Sequence, residues 1–317
     1  MRIPRPLRLL PLLLAIASPP LQAQDQLSGP LVVYNAGSLA RPFSDLLRAF
    51  VALHPGVQPA QENSGSIEAA RKLTELGKIP DVLGVADYGI IPNLLIPKHA
   101  TWYTSFAKNA MVLVYTDQSA GAKEINGRNW WQVLLRPGVR SGHSNPALDP
   151  NGYRTLMVFQ LAEKVYHQPG LAARLDRAEP PRYLRPKEAD LTALVQSGEL
   201  DYAWSYVSIA KTAGLKHVDL PPEVDLSDPH LASWYAQASV RVPGADRSAA
   251  DSVEFRGEPI VYALTIPTAA PHPAAALAFV RFILSQEGRA TLTADGLTAL
   301  TPPVIGGPGK PPAEVGR

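Results

Sequence analysis

Four short stretches carry residues suited to holding a small anion: Gly37-Ser38, Asn63–Ser66 (NSGS), Asn145–Gly152 (NPALDPNG) and Trp204–Tyr206 (WSY). Each follows a strand-like run, contains a glycine or small polar residue, and precedes a helix-like run. The first N–H groups of a helix have no partner inside it, and the helix dipole adds partial positive charge there. The hydroxyls of Ser38, Ser66 and Tyr206 supply further protons to donate. A rigid cage of neutral donors selects a fully ionised oxyanion, because a protonated one wastes a contact. Asp149 runs against this pattern: it places a carboxylate inside such a turn.

Each residue also has a plainer role open to it. Ser38 and Ser66 suit helix N-caps, Tyr206 suits a half-buried packing position, and Asp149 before Pro150 suits a turn. A hydrolase is the competing chemistry, with His143, Ser144 and Asp149 close in sequence. A triad needs mutual geometry, however, and the chain has no G-x-S-x-G elbow; NSGSIE has the wrong spacing. His143 reads as a surface loop residue. H-E-x-x-H and the phosphate-cradling G-x-x-x-x-G-K-[ST] loop are both missing from the sequence.

The elements that must position these turns alternate between strand and helix. LVVYNAG (Leu31–Gly37) reads as a strand, followed by a helix with Phe43, Leu46, Leu47, Phe50 and Val51 on one face. SIEAARKLTELG reads as a second helix and DVLGVAD as a second strand. The alternation predicts an α/β fold with mainly parallel sheets and flanking helices, in which ligands bind beyond the strand ends. Asn109–Thr116 and Glu258–Pro267 read as strands that cross between two lobes. The expected division is lobe 1 from residues 31–108 plus 266–301, lobe 2 from 109–265, and a flexible Pro/Gly-rich tail over 302–317. The segment from Leu220 to Ser248 is irregular and proline-rich, and its place in this scheme is open.

The 317 residues suit two lobes, and 46% hydrophobic with 18% charged content marks a globular chain. Residues 1–23 read as a signal peptide: Arg2, Arg5 and Arg8, then a short apolar run, then Leu21-Gln22-Ala23. Removing that leader, with three arginines and no acid, takes the formal charge from +2 to −1. No nucleic-acid surface is expected from this balance. The chain has no cysteine, so the expected exported protein is held by its core without disulfides and carries no bacterial lipid anchor. The expected location is the periplasm, in soluble form.

Several stretches together resemble the molybdate/tungstate-binding proteins of ABC importers, the tungstate-binding branch above all. They are VVYNAGSLARPF, GSIEAARKL through ADYGIIPNLL, NPALDPNGYR, GELDYAWSYVSIA and YALTIP, which span about Leu31 to Pro302 in the same order. The resemblance implies a two-lobed periplasmic binding protein of type II, with the ligand cleft between the lobes. It further implies an extracytoplasmic receptor, not an enzyme, that closes on one molybdate or tungstate, needs no other cofactor, and delivers its cargo to a membrane permease. A monomer is expected; sulfate or phosphate is the alternative cargo. By position, Ser38 and Ser66 become first-lobe donors, Ser205 and Tyr206 lie at the second-lobe turn, and Asp149 becomes a direct ligand to the molybdenum or tungsten centre. The branch usually has Glu where this chain has Ser205. That departure predicts at most one carboxylate ligand, with Asp149 otherwise bracing its turn through backbone N–H bonds.

Overall fold

The computed structural model describes residues 27–243, 252–313 and 315; the expected signal peptide lies outside the described residues. The chain begins with β1 (Ser28–Ala36), α1 (Ala40–Leu53), β2 (Gly56–Ser64), α2 (Ser66–Thr74), β3 (Val82–Val85) and β4 (Tyr103–Lys108). It then enters a second sheet through β5 (Met111–Tyr115), α3 (Trp130–Leu134), β6 (Ser141–Gly142) and α4 (Pro150–Val165). α5 (Leu171–Ala178), α6 (Ala189–Gln196), β7 (Tyr202–Tyr206), α7 (Val207–Thr212) and β8 (Lys216–Asp219) follow. The proline-rich segment forms α8 (Pro222–Asp225), α9 (Ala232–Tyr235) and β9 (Ser239–Pro243), which pairs antiparallel with β10 (Ser252–Arg256). The chain returns through β11 (Val261–Thr265), α10 (Pro273–Leu284), α11 (Gln286–Ala294) and β12 (Thr298–Gly306).

Among the described residues, one sheet has the order β12-β4-β11-β3-β1-β2 and the other β6-β7-β5-β8. The sheets are mixed, which corrects the expectation of mainly parallel pairing. β1 pairs parallel with β2 and β3, whereas β11 runs antiparallel to both β3 and β4. In the second sheet β5 is antiparallel to β7 and β8. The reversed strands are the ones by which the chain passes from one sheet to the other, and periodicity carries no information about strand direction. The tail expectation is also corrected. Residues 302–306 belong to β12, where Val304, Ile305 and Gly306 pair with Ser105, Thr104 and Tyr103.

Both sheets are gripped by helices. In α1 the predicted face is buried at Phe43, Leu46, Leu47 and Phe50; Phe50 packs on Phe279 of α10 at 5.3 Å between ring centroids. Removing four such side chains from water stabilises each contact by about 1.5–3 kcal/mol, which fixes α1 and therefore the turn before it. No described helix is long and apolar enough to cross a membrane.

Candidate functional site

Four of the five predicted residues line the seam where the two lobes meet, and each is positioned by the end of a strand. β1 ends at Ala36 and the chain turns through Gly37–Leu39, which carries Ser38. β2 ends at Ser64, and Ser66 opens α2. On the second lobe, Asp149 is the N-cap of α4 and Tyr206 ends β7. Ser38, Ser66, Asp149, Ser205 and Tyr206 are all buried.

Neither serine caps a helix. Gly65 is the N-cap of α2, Leu39 that of α1, and neither helix has a side-chain cap bond. Instead each hydroxyl oxygen accepts a hydrogen bond from the protein. The Ala86 N–H donates to Ser66 Oγ at 3.0 Å. Asn109 Nδ2 donates to Tyr262 Oη at 3.2 Å, and that hydroxyl donates to Ser38 Oγ at 3.0 Å. Arg154 Nη1 donates to Tyr206 Oη at 3.0 Å. A hydroxyl that accepts in this way keeps its own proton to donate elsewhere. Burial pushes the Tyr206 phenol well above its ordinary value, so the proton stays on.

Asp149 braces its turn as the turn reading expected. Its Oδ1 accepts from the Asn151 N–H at 2.8 Å and from Ser144 Oγ at 2.9 Å, and Oδ2 takes neither bond. Burial raises the Asp149 carboxyl well above the usual carboxylate range, and the Glu188 carboxyl, within hydrogen-bonding reach, raises it further. Both causes favour the protonated form of Asp149.

Glu188 is the residue that sequence reasoning missed. It occupies the N-cap position of α6 without making a cap bond, is buried, and leaves Oε1 with no hydrogen-bond partner among the described residues. A Cβ added at Gly37 would lie 3.3 Å from each Glu188 carboxylate oxygen. The carboxylate of the second lobe is therefore pressed against the first-lobe turn that holds Ser38. Ser205 pairs with Val112 across the β5–β7 ladder and so shares the sheet face that packs on Leu191 and Val195 of α6. Its Oγ is buried without a hydrogen-bond partner.

The lobes are closed on each other. The N–H groups of Ile67 and Glu68 donate to the Leu148 carbonyl at 3.1 and 3.2 Å. These two amides at the start of α2 thus hold the opposite lobe, where the sequence suggested they would face an anion. Arg154 of α4 reaches across to the Ala86 carbonyl at 2.7 Å and to Asp87 Oδ2 at 3.3 Å, while Tyr153 Oη donates to Asp87. Lys187 Nζ donates to Asn63 Oδ1 at 2.9 Å. The motifs DPNGYR and ADYG, separate in sequence, meet here as the two halves of one clasp.

The hydrolase constellation does not assemble. His143 is buried, not a surface loop residue, and its Nδ1 lies 2.6 Å from Glu179 Oε2. Ser141 and Trp204 Nε1 donate to the other oxygen of Glu179. Ser144 meets Asp149 directly, so no imidazole stands between serine and carboxylate.

A family profile described as bacterial extracellular solute-binding protein matches residues 31–298. A solute-binding protein of Petrotoga mobilis is 43% identical over 283 residues, covering 89% of this chain and 88% of its own. The molybdate/tungstate-binding protein WtpA of Pyrococcus abyssi is 35% identical over 308 residues, covering 89% and 88%. Among solved structures, the sulfate-binding protein SubI of Mycobacterium tuberculosis superposes with a TM-score of 0.59 at 15% identity, covering 86% of this chain and 88% of that one. The periplasmic molybdate-binding protein of Azotobacter vinelandii gives 0.58 at 17%, covering 84% and 98%. These structural likenesses establish the two-lobed type II α/β fold.

Proposed function

The chain belongs to the bacterial extracellular solute-binding proteins, and from that premise we propose that it captures molybdate or tungstate and delivers it to an ABC permease. The observation that carries this reading is the set of three inward hydroxyls, Ser38, Ser66 and Tyr206. Each is oriented by a bond it accepts, so each has a proton left for an anion. Two come from one lobe and one from the other, so an anion bridging them favours the closed arrangement over an open one. The relatives named as molybdate/tungstate-binding, at 34–35% identity over most of the chain, support the choice of oxyanion.

In this reading Ser38, Ser66 and Tyr206 hold the anion's oxygens, and Asp149 approaches its metal centre. Hard oxygen ligands suit molybdenum(VI) and tungsten(VI), and a carboxylate that would repel a closed-shell anion can bind such a centre. The protein binds and releases its cargo unchanged, acting as a receptor and not as an enzyme. It works outside the cytoplasm after export, as a soluble monomer, and its macromolecular partner is the membrane permease. Calorimetry on the mature protein with molybdate, tungstate, sulfate and phosphate tests this. Binding of the first two and not the others is expected; tight sulfate binding with no response to tungstate would reject the assignment.

A further inference from the structure

Asn109 stands where the chain crosses between the lobes, after β4 and before β5. It is buried, and every hydrogen-bonding position of its carboxamide is filled. Oδ1 accepts from the Ala110 N–H at 3.0 Å and from the Ser208 N–H at 3.4 Å. Two backbone donors identify that atom as the oxygen, so the other end is the NH2 group. Nδ2 donates to Ser208 Oγ of the second lobe at 2.7 Å and to Tyr262 Oη of the first at 3.2 Å. The side chain is thus held from both lobes.

A row of hydroxyls has no direction of its own, because each hydroxyl both donates and accepts. Direction is set by a group at one end that can do only one of these. Three such groups stand behind the three inward hydroxyls: the Ala86 N–H behind Ser66, the Arg154 guanidinium behind Tyr206, and the Asn109 NH2 behind Tyr262 and Ser38. All three only donate. The third differs from the others in one respect: exchanging its NH2 for oxygen, as Asn→Asp does, turns donor into acceptor at unchanged shape. Tyr262 is fully buried, and its hydroxyl proton has no acceptor but Ser38 Oγ among the described residues. Burial pushes that phenol well above its ordinary value, so it stays a donor.

We propose that Asn109 is a positioning residue that sets oxyanion selectivity from two hydrogen bonds behind Ser38: its NH2 group points the Asn109–Tyr262–Ser38 row inward, so that Ser38 presents its proton and the site disfavours anions that keep one of their own. The inference rests on the oxyanion-receptor reading. Fully ionised molybdate or tungstate offers an acceptor to each of the three hydroxyls. A protonated phosphate brings an O–H that meets a donor instead, which forfeits a bond. Reversing the row directs the Ser38 proton to Tyr262 and leaves only lone pairs facing the site. That arrangement suits the protonated anion and repels the ionised one. Only the direction of hydrogen bonds changes, and no proton is transferred.

The test uses the mature protein, calorimetry with molybdate and with inorganic phosphate in mildly acidic buffer, where phosphate keeps a proton, and thermal melting of the empty protein. Asn109→Asp should keep a cooperative melt, because the new carboxylate can accept from Ala110, Ser208 and Tyr262. It should weaken molybdate by about 100-fold and lower the molybdate-to-phosphate affinity ratio by at least as much. A buried charge alone also weakens anions, but does so in any background. The row runs through Tyr262, so in a Tyr262→Phe background the same substitution should leave the ratio within about twofold. Tyr262→Phe by itself should weaken molybdate by about 5- to 10-fold without favouring phosphate. An unchanged ratio in Asn109→Asp, or an equal shift in both backgrounds, would overturn the role of Asn109 and leave the transport reading standing. If Asn109→Asp does not fold, Tyr262→Phe decides, and wild-type molybdate affinity there overturns the inference. If the wild type binds neither molybdate nor tungstate, the underlying reading fails and this inference falls with it.

Discussion

Gly65 offers a way to block lobe closure without touching either lobe's interior. A Cβ built there would stand 2.2 Å from the Leu148 carbonyl oxygen, 2.8 Å from its carbon and 3.1 Å from the Asp149 Cβ. All but the last are backbone atoms of the opposite lobe, which cannot rotate aside. Reaching ordinary contact requires the lobes to part by about 1 Å or more. That parting breaks the two bonds from Ile67 and Glu68 to Leu148. At about 0.5–1.5 kcal/mol each, their loss costs about 1–3 kcal/mol, or roughly 5- to 150-fold in affinity. Misalignment of the Ser66 and Asp149 contacts adds to this. Gly65 itself has φ −61° and ψ 144°, a region open to alanine, so the open protein pays nothing. Gly65→Ala should therefore melt like the wild type when empty, lose most of its ligand-induced rise in Tm, and fail to compact in small-angle scattering on adding tungstate. Wild-type affinity together with wild-type compaction would refute the claim that this closed seam is the ligand-trapping state.

Ser66→Ala should weaken oxyanion binding by about 10- to 100-fold in calorimetry, since it removes a hydroxyl donor to a charged group and orphans the Ala86 N–H. Arg154→Met removes the guanidinium that joins Ala86, Asp87 and Tyr206 across the seam; affinity should fall by at least about 100-fold, with the melting of the empty protein changed far less. Glu258 is raised from 4.5 to about 7, chiefly by burial and then by the Asp87 charge. A raised carboxyl favours folding fully below its unfolded value and loses that contribution as pH climbs to about 7, so Glu258→Gln should flatten the stability profile between pH 4.5 and 7, by up to about 3 kcal/mol. A profile parallel to that of the wild type would contradict this. Burial holds the Asp149 carboxyl above the ordinary range, so tungstate affinity should rise with pH, by up to about tenfold per unit, as that carboxyl loses its proton, and sulfate affinity should move the other way; calorimetry over a pH series reads both slopes.

The strands and helices bearing Ser38, Ser66, Asp149 and Tyr206 were legible because glycine and proline punctuate them and apolar spacing marks the buried faces. β4 and β12 were not. Residues 302–306 look like a frayed tail since Pro302 and Pro303 read as breakers, yet the pairing of Val304, Ile305 and Gly306 with β4 supplies what local composition cannot express. Proline is tolerated because β12 is an edge strand, with one side free of ladder bonds. Strand direction was invisible for a similar reason, being set by the route of the chain between lobes. Glu188 was hidden by its setting: in RPKEADL it reads as one more charge on a solvated helix start. The first-lobe turn at Gly37 lies against that carboxylate, a contact no local pattern expresses. Arg154 was in view within DPNGYR, but its partner Asp87 lies 67 positions earlier and no spacing rule links them.

The two kinds of group at the seam do different work, and their balance decides which anions enter. Oriented hydroxyls accept any tetraoxyanion, each contributing about 1.5–3 kcal/mol when the partner is charged. An ionised carboxylate opposes them. Two unit charges 4 Å apart repel by about 4 kcal/mol at an effective dielectric of 20, and a dianion doubles that. One ionised carboxylate thus outweighs two hydroxyl contacts to sulfate. Sulfate is admitted more readily when Asp149 is protonated, which acid favours. A metal-centred oxyanion instead uses the lone pairs that protons would occupy, so its binding strengthens as those protons leave. The groups facing Asp149 are the Glu188 carboxyl, the Tyr206 phenol, the Ser144 hydroxyl and the Asn151 N–H. Burial keeps the Tyr206 proton in place, while burial and the neighbouring carboxyl raise Asp149 above the ordinary carboxylate range. The opposed slopes for sulfate and tungstate therefore report on the Asp149 carboxyl, and parallel slopes would mean that it never meets the cargo.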